Sequence, residues 1–289
     1  MKKIRLKYRL LIPVLLLVAG IFIFLIWQNN SIVITRADYC SEKIPSQFDN
    51  FVIVHISDLH NKEFGKNQVV LLDKVRNINP DIIVVTGDLI DRRKYDLPAA
   101  MNFITGAVEI APVYFVSGNH EAWSGEYPEI RKRLIDAGVI VADDAESEIV
   151  RGESSIKILG VSDPYFLTSG YLEGTNVADM AKVLEQWSGY EGFKILLSHR
   201  PELFDLYWEN NMDLIFVGHA HGGQIRMPFI GGLFAPDQGF FPEYTCGSYS
   251  QGSSTMFISR GLGNSVIPVR IFNRPEVVVV VLHSNQGGL

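Results

Sequence analysis

The chain opens with an eighteen-residue run, 10–27, that contains no charged side chain, and beyond residue 50 the apolar positions change character. From there, short β-branched and aromatic runs recur: Phe51-Val52-Ile53-Val54-His55-Ile56, then 81–86, 112–116, 156–161, 193–197, 213–217, 255–259 and 276–282. Near-continuous apolar runs of this kind fit strands buried on both faces. Between the early runs the spacing becomes helical. Val70, Leu71, Val75 and Ile78 fall on one face of a helix over 67–78, which Pro80 ends, and a second helix is expected near 97–108. Strand, helix, strand at this spacing predicts βαβ crossovers and a parallel sheet with its functional residues at the carboxyl ends of strands. So many strands with helices between them predict an α/β fold of two mixed sheets packed face to face, with helices on the outer faces. Residues 31–34 are a candidate first edge strand, and no internal repeat or low-complexity tract is present.

The N-terminal run adds one transmembrane helix to that fold. At about 1.5 Å per residue it just reaches the thickness of a hydrocarbon core. Lys2, Lys3, Arg5, Lys7 and Arg9 precede it, and no small-residue cleavage site follows. An uncleaved single-pass anchor is therefore expected rather than a cleaved signal peptide. This gives a basic cytoplasmic tail over 1–9, an anchor over 10–27, a tether over 28–48, and a folded domain over 49–285 on the extracytoplasmic side. The net charge of −6 argues against a broad nucleic-acid-binding surface. Pairing of the two cysteines, Cys40 and Cys246, is left open.

Chemistry enters with five short blocks, each just past a strand-like run. They are Asp58-Leu59-His60, Gly87-Asp88-Leu89-Ile90-Asp91, Gly118-Asn119-His120-Glu121, Ser198-His199 and Gly218-His219-Ala220-His221. Of seven histidines, only His55 and His283 lie outside them. His55, inside a strand, is expected to be a hydrogen-bonded core residue, and His283 to lie in a frayed tail. Asp58, His60, Asp88, Asn119, His199, His219 and His221 offer two carboxylates, a carboxamide and four imidazoles. Such a set suits divalent transition metals (manganese first, with iron, zinc and cobalt as alternatives), and it exceeds the needs of one tetrahedral ion. Asp88 is the best bridge between two ions, because Gly87 lets the backbone turn sharply. Two ions about 3.5–4 Å apart would acidify a shared water and clamp a phosphoryl group. His120 would be free to protonate a leaving oxygen, with Asp91 spaced to fix its tautomer.

In this order the blocks resemble the calcineurin-like metallophosphoesterase superfamily over residues 51–282. The 218–224 and 259–276 segments are similar to its bacterial, membrane-anchored YkuE-like branch. The resemblance implies one ion held by Asp58, His60, Asp88 and His221, a second held by Asp88, Asn119, His199 and His219, and His120 above the phosphate. It further implies hydrolysis of a phosphodiester or pyrophosphate by a metal-bridging hydroxide, on a lipid- or nucleotide-linked cell-envelope substrate. A tethered general nucleotide phosphodiesterase or phosphatase is the alternative, and a non-catalytic metal-binding scaffold a remote one, since no ligand position is substituted. Arg92 resembles a phosphate-contacting arginine of the protein phosphatases. The run Arg92-Arg93-Lys94 reads equally as a solvated basic face, which its charge density favours. Residues 222–252, rich in Gly, Pro and aromatics, are expected to wall the site as a packed meander or as a lid or lip beside the bilayer.

Overall fold

The computed structural model describes residues 2–167, 177–265 and 268–285, with side chains from residue 11 onward except at 167. Helix α1 (Lys2–Asn30) leads into β1 (Val33–Ser41) and β2 (Phe51–Ile56). Next come α2 (Val69–Ile78), β3 (Ile82–Thr86), α3 (Leu97–Val108), β4 (Val113–Val116), α4 (Asn119–Ser124), α5 (Tyr127–Asp136) and β5 (Ile140–Val141). The second half contains β6 (Ala145–Arg151), β7 (Ser154–Gly160), α6 (Val177–Ser188), β8 (Lys194–Leu197), α7 (Phe204–Glu209) and β9 (Leu214–Val217). Two-residue strands β10 (Arg226–Met227), β11 (Gly231–Gly232), β12 (Phe234–Ala235) and β13 (Gly239–Phe240) follow. The chain closes through β14 (Gly247–Gln251), β15 (Ser254–Ile258) and β16 (Glu276–Ser284).

Two six-stranded sheets result, ordered β1-β16-β2-β3-β4-β5 and β14-β15-β9-β8-β7-β6. Strands β2 to β5 run parallel, as do β7, β8, β9 and β15, while β16, β14 and β6 pair antiparallel to β2, β15 and β7. Strand alternation sorts the side chains into three apolar layers. Ile53, Val84, Val116, Ile158, Leu197 and Phe216 meet between the sheets. Val54, Ile56, Val85 and Phe115 point the other way, against Leu71 and Val75 of α2, Phe103 of α3 and Leu134 of α5. Leu159, Leu196 and Ile215 do the same beneath Leu184 of α6 and Tyr207 of α7. The architecture is the α/β/β/α sandwich that the pattern predicts. Truncating a central residue such as Phe216 to Ala would cost about 3–5 kcal/mol.

Two expectations change. The stretch expected as a tether is a strand over Val33–Ser41, paired parallel with β16 along its whole length. Phe48 and Ile44, just beyond it, are buried in the inter-sheet core. Alternation of half-buried and exposed positions along β1 fits an edge strand with one covered face, of which the candidate edge strand at 31–34 catches only the first residues. His283 is likewise not frayed. It sits in β16 opposite Cys40, with its Nε2 3.0 Å from Asp38 Oδ1. Both cysteines are free. Helix α1 contains one segment, Leu11–Asn30, long and apolar enough to cross a membrane by length and composition.

Candidate metal centre

The carboxyl ends of β2, β3, β4, β8 and β9 converge, and the loops that follow them carry all seven expected ligands. Asp58, His60, Asp88, Asn119, His199, His219 and His221 are all buried. The loops are stitched together by their backbones: Asp58 N donates to Gly87 O (3.1 Å), His60 N to Asp88 O (3.0 Å) and Gly218 N to His199 O (3.2 Å). Five of the seven have left-handed backbones, with φ of 52° at Asp58, 48° at His60, 52° at Asp88, 65° at His219 and 48° at His221. Each such residue carries a cost of order 1–3 kcal/mol, which persists only where surrounding structure imposes it, and clusters of this kind mark functional sites. Gly87 has no alternative. Its φ is 83°, and a Cβ there would stand 2.5 Å from Gly118 N.

The donor atoms form two groups that share one carboxylate. Asp58, His60, Asp88 and His221 lie together, and Asp88, His199 and His219 make the second group. Asp88 Oδ2 is 3.5 Å from His60 Nε2 and 3.4 Å from His199 Nε2, while Oδ1 is anchored by the His120 amide at 2.8 Å. Asn119 Oδ1 joins the second group, 3.1 Å from His199 Nε2. Ring nitrogens face each other, His60 Nε2 to His221 Nε2 at 3.0 Å and His199 Nε2 to His219 Nδ1 at 3.2 Å. His199 Nδ1 donates to Thr86 O at 2.7 Å, so the lone pair of Nε2 points into the cluster. Converging lone pairs around two buried carboxylates fit divalent cations.

Electrostatics agree. Burial pushes the Asp58 carboxyl up to about 6, against the pull of His199. Burial disfavours charge on His199 as well, but Asp88 and Asp58 outweigh it and raise the imidazole to about 10. With Nδ1–H on Thr86 O, that second proton sits on Nε2 beside Asp88, the place a cation would take in exchange for it, freeing the Nε2 lone pair. Burial drives His60 down to about 3, as expected of a neutral ligand.

Behind the ligands lies a polar frame that sequence reading missed. The buried Glu121 carboxylate accepts from the amides of Asp88 (2.8 Å), Leu89 (2.8 Å), Ile90 (3.2 Å) and Gly118 (2.8 Å), locking two ligand loops together. Burial and then Asp88 push its pKa up to about 7, against the pull of those amides. Arg200 is fully buried and forks onto Asp163, with Nε–Oδ2 at 2.6 Å and Nη2–Oδ1 at 3.0 Å. It also reaches Asp237, whose Oδ2 is 2.9 Å from His219 Nε2. Arg270, buried beside the first group, donates Nη1–H to Arg260 O at 2.9 Å, and Asn273 Nδ2 donates to His221 O at 2.7 Å. Adjacency to His199 and completion of the 118–121 block were available signals for Arg200 and Glu121. Asp237, in a Gly/Pro-rich loop, had none.

His120 sits at the cleft side of the cluster, its Nε2 4.0 Å from Asp88 Oδ2. Its expected partner Asp91 is 3.6 Å from Nδ1, longer than a hydrogen bond, and that carboxylate is taken up by the Arg93 amide at 2.8 Å. The amide of Arg92 donates to Nδ1 instead, at 3.1 Å, so the proton of the neutral ring lies on Nε2, facing the cluster. Arg92 stacks on Trp123, 4.4 Å from the ring centroid, and both line a cleft of about 220 Å³ together with Asp88, Asn119 and His120. His55 is a core histidine, 2.7 Å from Thr86 Oγ1.

A sandwich of this design brings Asp, Asn and His together at its strand ends, a donor set suited to divalent cations. A profile of the calcineurin-like phosphoesterases matches residues 51–223. The chain is 30% identical over 266 residues to metallophosphoesterase YkuE of Bacillus subtilis (strain 168), covering 90% of this chain and 88% of that one. It is 28% identical over 290 residues to metallophosphoesterase Cj0846 of Campylobacter jejuni, covering 99% and 73%. With phosphodiesterase YaeI of Escherichia coli (strain K12) the identity is 25% over 237 residues, covering 80% and 82%. The chain belongs to the calcineurin-like phosphoesterase family, in its YkuE-like branch. That family hydrolyses phosphoesters with divalent metals, in keeping with the buried donor cluster.

Proposed function

We propose that this chain is a membrane-anchored, two-metal phosphoesterase that cleaves a phosphodiester or pyrophosphate of a lipid- or nucleotide-linked cell-envelope substrate. Asp58, His60, Asp88 and His221 would hold one divalent ion, and Asp88, Asn119, His199 and His219 the other, with manganese the first choice. Ions of this kind acidify water and offset the charge of a phosphoryl group when bound. The observation that carries this reading is the placement of Asp88 Oδ2 between His60 and His199, at 3.5 and 3.4 Å.

The protein's own groups supply the rest. Asn119 presents its carboxamide to a non-bridging phosphate oxygen. His120 delivers a proton from Nε2 to the leaving oxygen, with its ring orientation set by the Arg92 amide at 3.1 Å. Donation requires the imidazolium, which burial disfavours and Asp88 and Asp91 favour. Asp91, 3.6 Å from Nδ1, would then accept the Nδ1 proton in place of the Arg92 contact. Arg92 offers its guanidinium to the substrate phosphate at the cleft rim. Preference for a diester is supported by the phosphodiesterase among the relatives. The basic residues of 1–9 favour a cytoplasmic N-terminus, an anchor beginning near residue 10 and an extracytoplasmic catalytic domain.

The test uses full-length protein in detergent, stripped of metal and then titrated with manganese. Hydrolysis of bis-p-nitrophenyl phosphate is compared with that of p-nitrophenyl phosphate, with Asp88→Asn as control. Metal-dependent diester cleavage, lost in the variant, is the expected result. Preferential cleavage of the monoester moves the assignment to a tethered phosphatase. Inactivity on both esters despite two bound metals overturns the hydrolase reading for simple esters.

A further inference from the structure

The register of the first sheet decides which end of the domain meets α1. Asp58 and Asp88 follow the carboxyl ends of β2 and β3. Strand β16 is antiparallel to β2, with Val278 beside His55, and β1 is parallel to β16, with Val33 beside Glu276. The start of β1, and with it the end of α1, therefore lies at the ligand end of the sheet. Side chains bear this out. Asn29 Oδ1 accepts from the Arg270 amide at 3.0 Å, Lys62 Nζ donates to Asn29 O, and Asn273 N donates to Gln28 Oε1 at 3.3 Å. Since Asn273 Nδ2 in turn donates to His221 O, one residue bridges the helix end and a candidate ligand.

Exposed apolar groups gather on that same side. Phe24 of α1 meets Phe272 edge-on, with centroids 5.6 Å apart, and Arg274 lies over Trp27 at 4.7 Å, the kind of aromatic and basic girdle that anchors a helix at a membrane interface. Ile271 bridges to Ile225 and accepts from the Arg226 amide at 3.0 Å, so the β10–β11 hairpin starts beside this junction. Its tip carries Phe229 and Ile230, and the β12–β13 hairpin adds Phe240, followed by Phe241. Relative exposures are 109% for Phe229, 56% for Ile230, 77% for Phe240 and 67% for Phe241. Side chains of this size gain about 1.5–3 kcal/mol each on leaving water, so the cluster calls for a partner. The β12–β13 turn also supplies Pro236, which lines the cleft, and Asp237, 2.9 Å from His219 Nε2.

We propose that these two hairpins seat in the bilayer spanned by Leu11–Asn30 and hold the mouth of the metal cleft at the lipid–water interface. The phosphoester it receives is then one carried on a lipid headgroup in that bilayer, a specificity that rests on the hydrolase reading above. The base of the β10–β11 hairpin bridges to Ile271, whose neighbour Phe272 meets Phe24 of α1, and this link to the anchor favours lipid over a protein partner.

The experiment places nitroxide labels at Phe229→Cys and Phe241→Cys, in a Cys40→Ser/Cys246→Ser background. Full-length protein is reconstituted in phosphatidylethanolamine–phosphatidylglycerol vesicles. A label at Val150→Cys is the aqueous control, because Val150 is 62% exposed and pairs with Ser155 at the end of the second sheet remote from the ligands. Oxygen should relax the labels at 229 and 241 far more than a nickel chelate does, with the reverse at 150. Labels at 229 and 241 as open to nickel as at 150, or shielded from both reagents as in a protein contact, overturn the proposal.

A second arm uses Phe229→Asp/Phe241→Asp on a phosphatidyl p-nitrophenyl ester in vesicles, in which water adds to phosphorus and p-nitrophenolate leaves. Its turnover relative to that of bis-p-nitrophenyl phosphate in water should fall about tenfold or more. An unchanged ratio overturns the proposal, while unchanged diester turnover reports an intact fold. Wild-type inactivity on both esters is a failure of the hydrolase reading, and the labels then decide the docking alone.

Discussion

The two donor groups share Asp88 but are supported in opposite ways. Behind the second group stand fixed partners: Thr86 O takes the proton of His199 Nδ1, and His219 Nε2 lies 2.9 Å from both Asp237 Oδ2 and Nη1 of Arg200, which is itself clamped by Asp163. Behind the first group the support is looser. His60 Nδ1 is buried without a hydrogen-bond partner among the described residues, and Arg270 reaches His221 Nδ1 only at 3.5 Å. Instead, His60 is held by ring contacts, its centroid 4.9 Å from His221 and 4.4 Å from His120. Ligands whose far nitrogen is hydrogen-bonded are pre-oriented. The second group should therefore bind its ion more tightly, and the first, joined to the helix end through Asn273, should be the exchangeable and adjustable one.

The harshest test removes what the groups share. Asp88→Asn is expected to abolish tight binding at both positions and lower diester turnover by at least about 10²-fold, since several kcal/mol of charge stabilisation goes with the ions. Retention of one tight ion, by elemental analysis, would show that the groups do not depend on a common carboxylate. Next comes the residue that belongs to neither group. His120→Ala should keep both ions and slow esters with poor leaving groups by about 10²–10⁴-fold, with a much smaller loss on p-nitrophenyl esters. Equal losses on both would exclude His120 as the proton donor.

Asp237→Asn sharpens the contrast, because Arg200 keeps Asp163 while His219 loses its carboxylate. Affinity at the tighter position should drop about 10–100-fold, with little change at the weaker one, as read from a two-phase metal titration. Equal weakening of both phases would break the comparison. The last test concerns the prop behind Thr86. Burial holds the His55 imidazole down at about 3, below its unfolded value, so folding stability is present at neutral pH and is lost as pH falls from roughly 6.5 toward 3. His55→Phe should flatten the acid limb of metal-free unfolding by about 1.4 kcal/mol per pH unit in that window. Identical slopes in variant and wild type would mean that His55 titrates normally.

Much of this protein is written locally. Strands buried on both faces need uninterrupted apolar runs, so β2, β3, β8 and β9 stand out, and the ligand blocks follow because each must leave a strand end. The edge strand β1 was legible only at its start, within 31–34, because its half-polar alternation beyond that point resembles a linker. The Asp91–His120 pairing followed from spacing, yet a backbone amide that no side-chain pattern encodes took its place at Nδ1.

By itself, then, the sequence determined the layers, the donor chemistry and the apolar N-terminal segment, because burial and ligand type are properties of individual side chains and their period. Only the tertiary structure decided the rest. It put Asp88 Oδ2 between two imidazoles, set Arg200 and Asp237 behind one donor group alone, and turned the end of α1 toward the ligand loops. Those facts depend on sheet register and on contacts between residues far apart in the chain, and no local pattern can carry them.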